Sequence, residues 1–180
     1  MDRIQLHRLL RYELAYSQRA PIDWDFHDPV TSACYRVPPI AQGITLLKED
    51  FAMSATTPSL TSLRIICDVL PYDWPVVARN ADGVTIKDVL LAIHDALEKQ
   101  ITMREWSNFA DKQRNRITIV FDARWRRAAD PLATRAIGVE RVDTLLHHTA
   151  FGGLTVIPAT EPTCVLTLAV CKAVVPSPSS

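Results

Sequence analysis

The chain has 180 residues, 48% of them apolar and 22% charged, enough to bury a core without disulfides or metal and too apolar for wholesale disorder. Twenty Lys and Arg balance twenty Asp and Glu, so the formal net charge is zero. That removes the electrostatic case for a dedicated nucleic-acid or anionic-membrane binder. Twelve prolines against five glycines leave little material for phosphate-cradling loops.

Charge repeatedly interrupts the N-terminal MDRIQLHRLLRYEL, which therefore lacks a signal-peptide apolar core. The best apolar stretch, Cys164 to Val175, is broken by Lys172 and falls short of the roughly 20 residues a membrane span needs. Four cysteines occur, none in a C-x-x-C pattern. Reduced thiols in a cytoplasmic protein are expected, with Cys67, Cys164 and Cys171 largely buried.

The first 20 residues fit a loose helical stripe or a short extended arm. Ile22-Asp23-Trp24-Asp25-Phe26 alternates apolar and acidic residues, the mark of a half-buried strand. Val30 to Pro58 reads as a long excursion with one short helix near Ile44 to Phe51. Leu60 to Val69 is apolar enough on both faces to predict a central strand. A further strand starts at Trp74, with Pro75 tolerable at its beginning or on an edge.

Thr85 with Asp88 three residues on predicts a capped helix over about residues 86–100, with Ile86, Leu90, Ile93 and Leu97 on one face. That stripe is expected to pack on the sheet containing Leu63 to Val69. Leu91 falls off the stripe and is expected to be left over. A second capping pattern, Thr102 with Glu105, predicts a short helix over about 103–110. Ile117 to Phe121 reads as a strand and Ala123 to Arg135 as a charged, proline-broken loop or a turn of helix. Strands are expected at Leu154 to Ile157 and Cys164 to Val175. No repeat or linker divides the chain. The expectation is one α+β domain over 1–175, a mostly antiparallel or mixed sheet packed by those two helices, with a flexible tail at 176–180.

Several of these strings taken together resemble a family of uncharacterised basidiomycete proteins. They are Leu6-His7, Trp24-Asp25, Leu63 to Asp68 with Leu70-Pro71 and Trp74-Pro75, Val84-Thr85 with Asp88 to Leu90 and Ile93-His94, Glu105-Trp106, Arg141-Val142-Asp143 and Phe151 to Leu154. The similarity runs from about Leu6 to Ile157. It implies a compact fungal domain and carries no activity with it.

Chemistry-bearing groups are sparse. His94 borders the apolar helix face, either as a core-edge histidine or as a general acid or base. Trp24-Asp25 and Asp73-Trp74 each set a carboxylate against a large aromatic, which can raise its pKa, or simply cap a turn. Arg124-Trp125-Arg126-Arg127 offers cations beside an aromatic, able to grip an anion or to sit solvated. Arg141, between Glu140 and Asp143, is expected to meet a carboxylate, either Asp25 or Asp143 inside the fold or one on a ligand. His147 and His148 are adjacent, so on a strand they would face opposite ways; no metal site is expected. No serine-nucleophile, dinucleotide or P-loop motif occurs, so no cofactor is expected.

Two function classes remain. One is a non-catalytic module binding a small molecule or a protein through Trp24, Trp74, Arg124, Trp125 and Arg141. The other is a cofactor-free isomerase, cyclase or hydrolase of a fungal metabolite, with His94 and Asp25 or Asp73 transferring protons and an arginine anchor. Neither class calls for nucleic acid or membrane.

Overall fold

The computed structural model describes residues 4–12, 20–36, 43–70 and 74–170. Asp73, Cys171 and the expected tail at 176–180 lie outside the described residues. The main sheet has four strands in the order β7-β6-β9-β8: β6 is Ser62–Ile66, β7 is Val76–Arg79, β8 is Ala150–Ile157 and β9 is Thr163–Ala169. β6 runs parallel to β9 and the other pairings are antiparallel, so the sheet is mixed and the fold is α+β.

β6 takes the central position its apolar character predicts, but only one face is dry. Leu63 and Ile65 are buried while Ser62 and Arg64 are exposed, so the alternation is that of a sheet with one solvated face. Pro75 immediately precedes the edge strand β7, where no ladder donor is lost.

Short strands dress this sheet. β1 (Gln5–Leu6) pairs with β5 (Thr56–Thr57). β2 (Ile22–Asp23), β3 (Cys34–Tyr35) and β4 (Ile44–Thr45) form a small antiparallel sheet. The period-two burial holds through Phe26: Ile22, Trp24 and Phe26 are buried, and Asp25 bridges to Ala150 at the start of β8. The N-terminal arm lies against Gly153, where φ is +122° and a Cβ would come within 2.8 Å of the Tyr12 backbone. Glycine is what lets the arm approach there.

The short helix of the excursion is α1 (Lys48–Ala52). Next comes α2 (Ile86–Leu97), whose Thr85 hydroxyl accepts from the Asp88 amide while the Asp88 carboxylate accepts from the Thr85 amide. Ile86, Leu90, Ile93 and Leu97 are all but inaccessible, and α2 packs on the sheet through β7. Leu91 is not left over; it is half-buried against the core. The second capping pattern holds too and opens α3 (Met103–Ser107).

The expected strand at 117–121 is instead the middle of the longest helix, α4 (Asp111–Arg127), followed by α5 (Pro131–Ile137), where of the loop and the turn of helix the helix holds. Ile117, Ile119 and Phe121 alternate like a strand, yet Ile117 is buried and Ile119 is 68% exposed. The helix holds because its ends and flanks suit one. Asp111 sits at the positive end and Arg124, Arg126 and Arg127 at the negative end. Asp111–Arg114 and Asp122–Arg126 are spaced for side-chain pairing along the surface. A 3-10 turn, Arg141–Leu145, returns the chain to β8.

Among the described residues the cysteines are free thiols. Cys164 is buried, whereas Cys67 is only half-buried, less than expected. Also among the described residues, no helix is long and apolar enough to cross a membrane.

Candidate functional site

α4 carries Arg124 to the 3-10 turn, where two carboxylates meet it. Its Nε and Nη2 each donate to Asp143 at 2.8 Å, Nη2 also reaches the Gly138 carbonyl at 3.1 Å, and Nη1 lies 2.6 Å from Glu140. Asp143 has no exposed surface, and it also accepts from the Glu140 amide at 2.9 Å. A two-pronged contact of this kind fixes geometry as well as charge. Burial opposes the charge on Arg124, but Asp143 and Glu140 outweigh it and hold its pKa above the ordinary value. Burial, with Asp143 and Glu98 nearby, raises the Glu140 pKa even against the pull of Arg124. Arg124 spends its charge on two carboxylates at once, so Glu140 keeps only part of it.

Arg141 meets a carboxylate, but neither Asp25 nor Asp143. Its partner is Glu105 at 2.8 Å, and its guanidinium carbon lies 4.4 Å from the centre of the Trp74 ring. Trp74 is buried and its indole N–H donates to the same Glu105 oxygen. Burial works to raise the Glu105 pKa; the Thr102 amide and hydroxyl, Arg141 and Trp74 outweigh it and bring it to about 2. The knot ties α3, the entry to β7 and the 3-10 turn together.

Trp24 is buried beneath His94, their rings stacked with centroids 6.1 Å apart. The Trp24 indole donates to the Asp28 carbonyl at 3.0 Å. His94 Nδ1 faces Glu98 at 3.4 Å and Asp95 at 3.9 Å. These three residues each offer a ligand atom within 4.8 Å of one another, the nearest arrangement to a metal cluster among the described residues, at the last turn and C-cap of α2. His94 and Glu98 stand at i,i+4, though in the sequence His94 reads as an acid or base and not as a metal ligand. The imidazole that meets Asp25 is His27: its Nδ1 lies 2.9 Å from Asp25 Oδ1, and Thr149 donates to Oδ2 at 3.0 Å. Partial burial, then Asp25, raises the Asp28 pKa, with His27 pulling the other way.

An open cleft of about 960 Å³ lies where α4, α5, the 3-10 turn and the 26–28 segment converge. Phe26, Val120, Ile137, Val142 and Leu146 supply its apolar wall; His27, Asp28, Glu98, Arg124, Arg127, Glu140 and His147 supply its polar groups. The volume lies within the small-molecule range. Leu146 holds φ 57° and ψ −108°, a backbone state costly for a branched residue and concentrated at functional sites in folded proteins. His147 and His148 sit in the turn after it with ring centroids 4.2 Å apart, not on opposite faces of a strand. A second cleft of about 990 Å³ opens between the N-terminal arm and the β8–β9 turn. Among the described residues, Arg11 and Glu161 alone bring formal charge to its lining, so the chemistry favours the first cleft.

The sequence-predicted residues therefore divide. Arg124 lines the cleft, with Asp25 behind it through His27. Trp24 and His94 stack together, while Trp74 and Arg141 form a separate knot. Trp125 donates to Asp122 at 2.9 Å and is flanked by Arg126 and Arg135, each 5.1 Å from its ring centre. His27, Asp28, Glu98, Glu140 and His147 were not among the candidates, because residues so far apart in the chain carry no shared spacing.

A mixed sheet backed by α2, with a charged cleft under α4, is the arrangement of this domain. Residues 22–172 match the model of a family of unknown function, DUF6699, and the chain belongs to that family. The match reaches beyond Ile157 and takes in β9, which the sequence resemblance did not cover. No curated protein and no solved structure matches the chain.

Proposed function

We propose that this chain is a non-catalytic module, fungal and cytoplasmic, that binds a small molecule in the cleft between α4 and the 3-10 turn. One observation carries the reading: distant segments deliver seven ionisable side chains to an apolar-walled cleft of about 960 Å³. The fungal origin rests on the resemblance above, and the cytoplasm on the unpaired thiols of the described residues. A bound ligand stabilises the fold by mass action. A thermal-shift screen of small molecules should give hits on the wild type that vanish in Ala129→Trp, which fills the exposed rim. Hits that stabilise both proteins equally would place binding elsewhere and defeat the proposal.

The Asp25–His27 contact favours a second reading. A carboxylate accepting from Nδ1–H fixes the tautomer and leaves Nε2 as a base, and His27 lines the cleft. On that reading the chain is a cofactor-free isomerase, cyclase or hydrolase. Asp25 then orients His27, and His94 stands outside the cleft lining. Hits recovered unchanged after long incubation support the module. Conversion that disappears in His27→Ala supports the enzyme.

A further inference from the structure

Resting on the cleft as a ligand site, we propose that its ligand is a cationic amphiphile, an organic ammonium carried on an apolar body. The sequence alone suggested the opposite sign, with an arginine holding an anion. Arg124 cannot serve that way. Its Nε and Nη2 are engaged by Asp143 and its Nη1 by Glu140, so no fork is left for a ligand carboxylate or phosphate.

The charge count then favours a cation. Asp28, Glu98 and Glu140 line the cleft and Asp143 lies directly behind it, against the guanidiniums of Arg124 and Arg127. In the lining itself three carboxylates stand against two guanidiniums and the imidazoles of His27 and His147, and one of those guanidiniums, Arg124, is already held by Asp143 and Glu140. An entering anion meets net repulsion, whereas an ammonium between Glu98 and Glu140 relieves the repulsion those two exert on each other. The raised Glu140 pKa, caused by burial and then by Asp143 and Glu98 against Arg124, agrees with a local excess of negative charge. Ile137 and Leu146 in the wall call for an apolar body, which a bare metal ion would leave uncovered.

Three probes of one shape and different charge test this: phenethylamine, 2-phenylethanol and 3-phenylpropionate, titrated by calorimetry and by amide chemical shifts. The amine should bind about tenfold tighter than the propionate and shift the Leu146 and Ile137 amides. Glu98→Gln, at a side chain 59% exposed, should weaken the amine about tenfold and leave phenylethanol unchanged. Arg127→Gln should tighten the amine, a gain that a merely structural residue would not give. If the propionate binds at the cleft as tightly as the amine, the charge assignment falls while the ligand site stands. Amine binding indifferent to both variants overturns it too. If none of the three probes moves the cleft amides, both proposals fall.

Discussion

Removing Asp143 tests the physical logic of the cleft wall. Asp143→Ala deletes a carboxylate with no exposed surface and strands three donors: Arg124 Nε and Nη2 at 2.8 Å and the Glu140 amide at 2.9 Å. Breaking one side of a buried ion pair costs about 3–5 kcal/mol, because the surviving charge is left without its partner. Glu140 at 2.6 Å and the Gly138 carbonyl remain on Arg124, so the loss should fall near the low end, about 3 kcal/mol. With an unfolding slope of about 2 kcal/mol per molar urea, the midpoint should drop by about 1.5 M. The partner variant Arg124→Ala should be destabilised as well, and the double variant by less than the two losses combined, since each single change already breaks the same contact. Equilibrium urea denaturation followed by circular dichroism measures all three. A single-variant loss below about 1 kcal/mol, or strict additivity in the cycle, would refute the reasoning.

Other outcomes follow from named contacts. Leu90→Ala, at a position with no exposed surface, should cost about 2–5 kcal/mol in the same assay through the cavity it opens. Ile117→Asp should unfold or strongly destabilise the protein, whereas Ile119→Asp should stay within about 0.5 kcal/mol of wild type; equal effects would fit the strand rather than α4. Glu105 has a folded-state pKa of about 2, below its ordinary value. Its stabilisation is therefore complete above the unfolded pKa of about 4.3 and is lost as pH falls toward 2. Glu105→Gln should flatten that acid limb in a pH series of denaturation midpoints. A chromogenic thiol reagent should titrate four cysteines in denaturant, while in the native protein Cys164, buried and pushed up to about 12, should react only as the fold opens.

What was legible in the sequence was local. The stripe and cap of α2, the Thr102–Glu105 start of α3 and the buried alternation from Ile22 to Phe26 each depend on residues a few positions apart. α4 was missed because Ile117, Ile119 and Phe121 imitate strand alternation, while the charge placement that suits a helix lies mostly outside that run. Partner choice was the harder loss. That Arg141 needs a carboxylate is written in its chemistry, but Glu105 lies 36 residues away and Asp143 goes instead to Arg124, 19 residues off. The cleft draws on His27, Glu98, Arg124, Glu140 and His147, whose proximity is set by how α4 and the 3-10 turn pack. A spacing rule has no access to that.

The central claim is that ligands enter the cleft beneath α4 and not the comparably large one beside the N-terminal arm. Amide chemical-shift mapping with a hit from the thermal-shift screen tests it most directly. Perturbations clustered at His27, Glu98, Ile137, Leu146 and His147, saturating together, are the predicted result. Perturbations confined to Arg11, Tyr12 and Leu154 to Pro162 would contradict it.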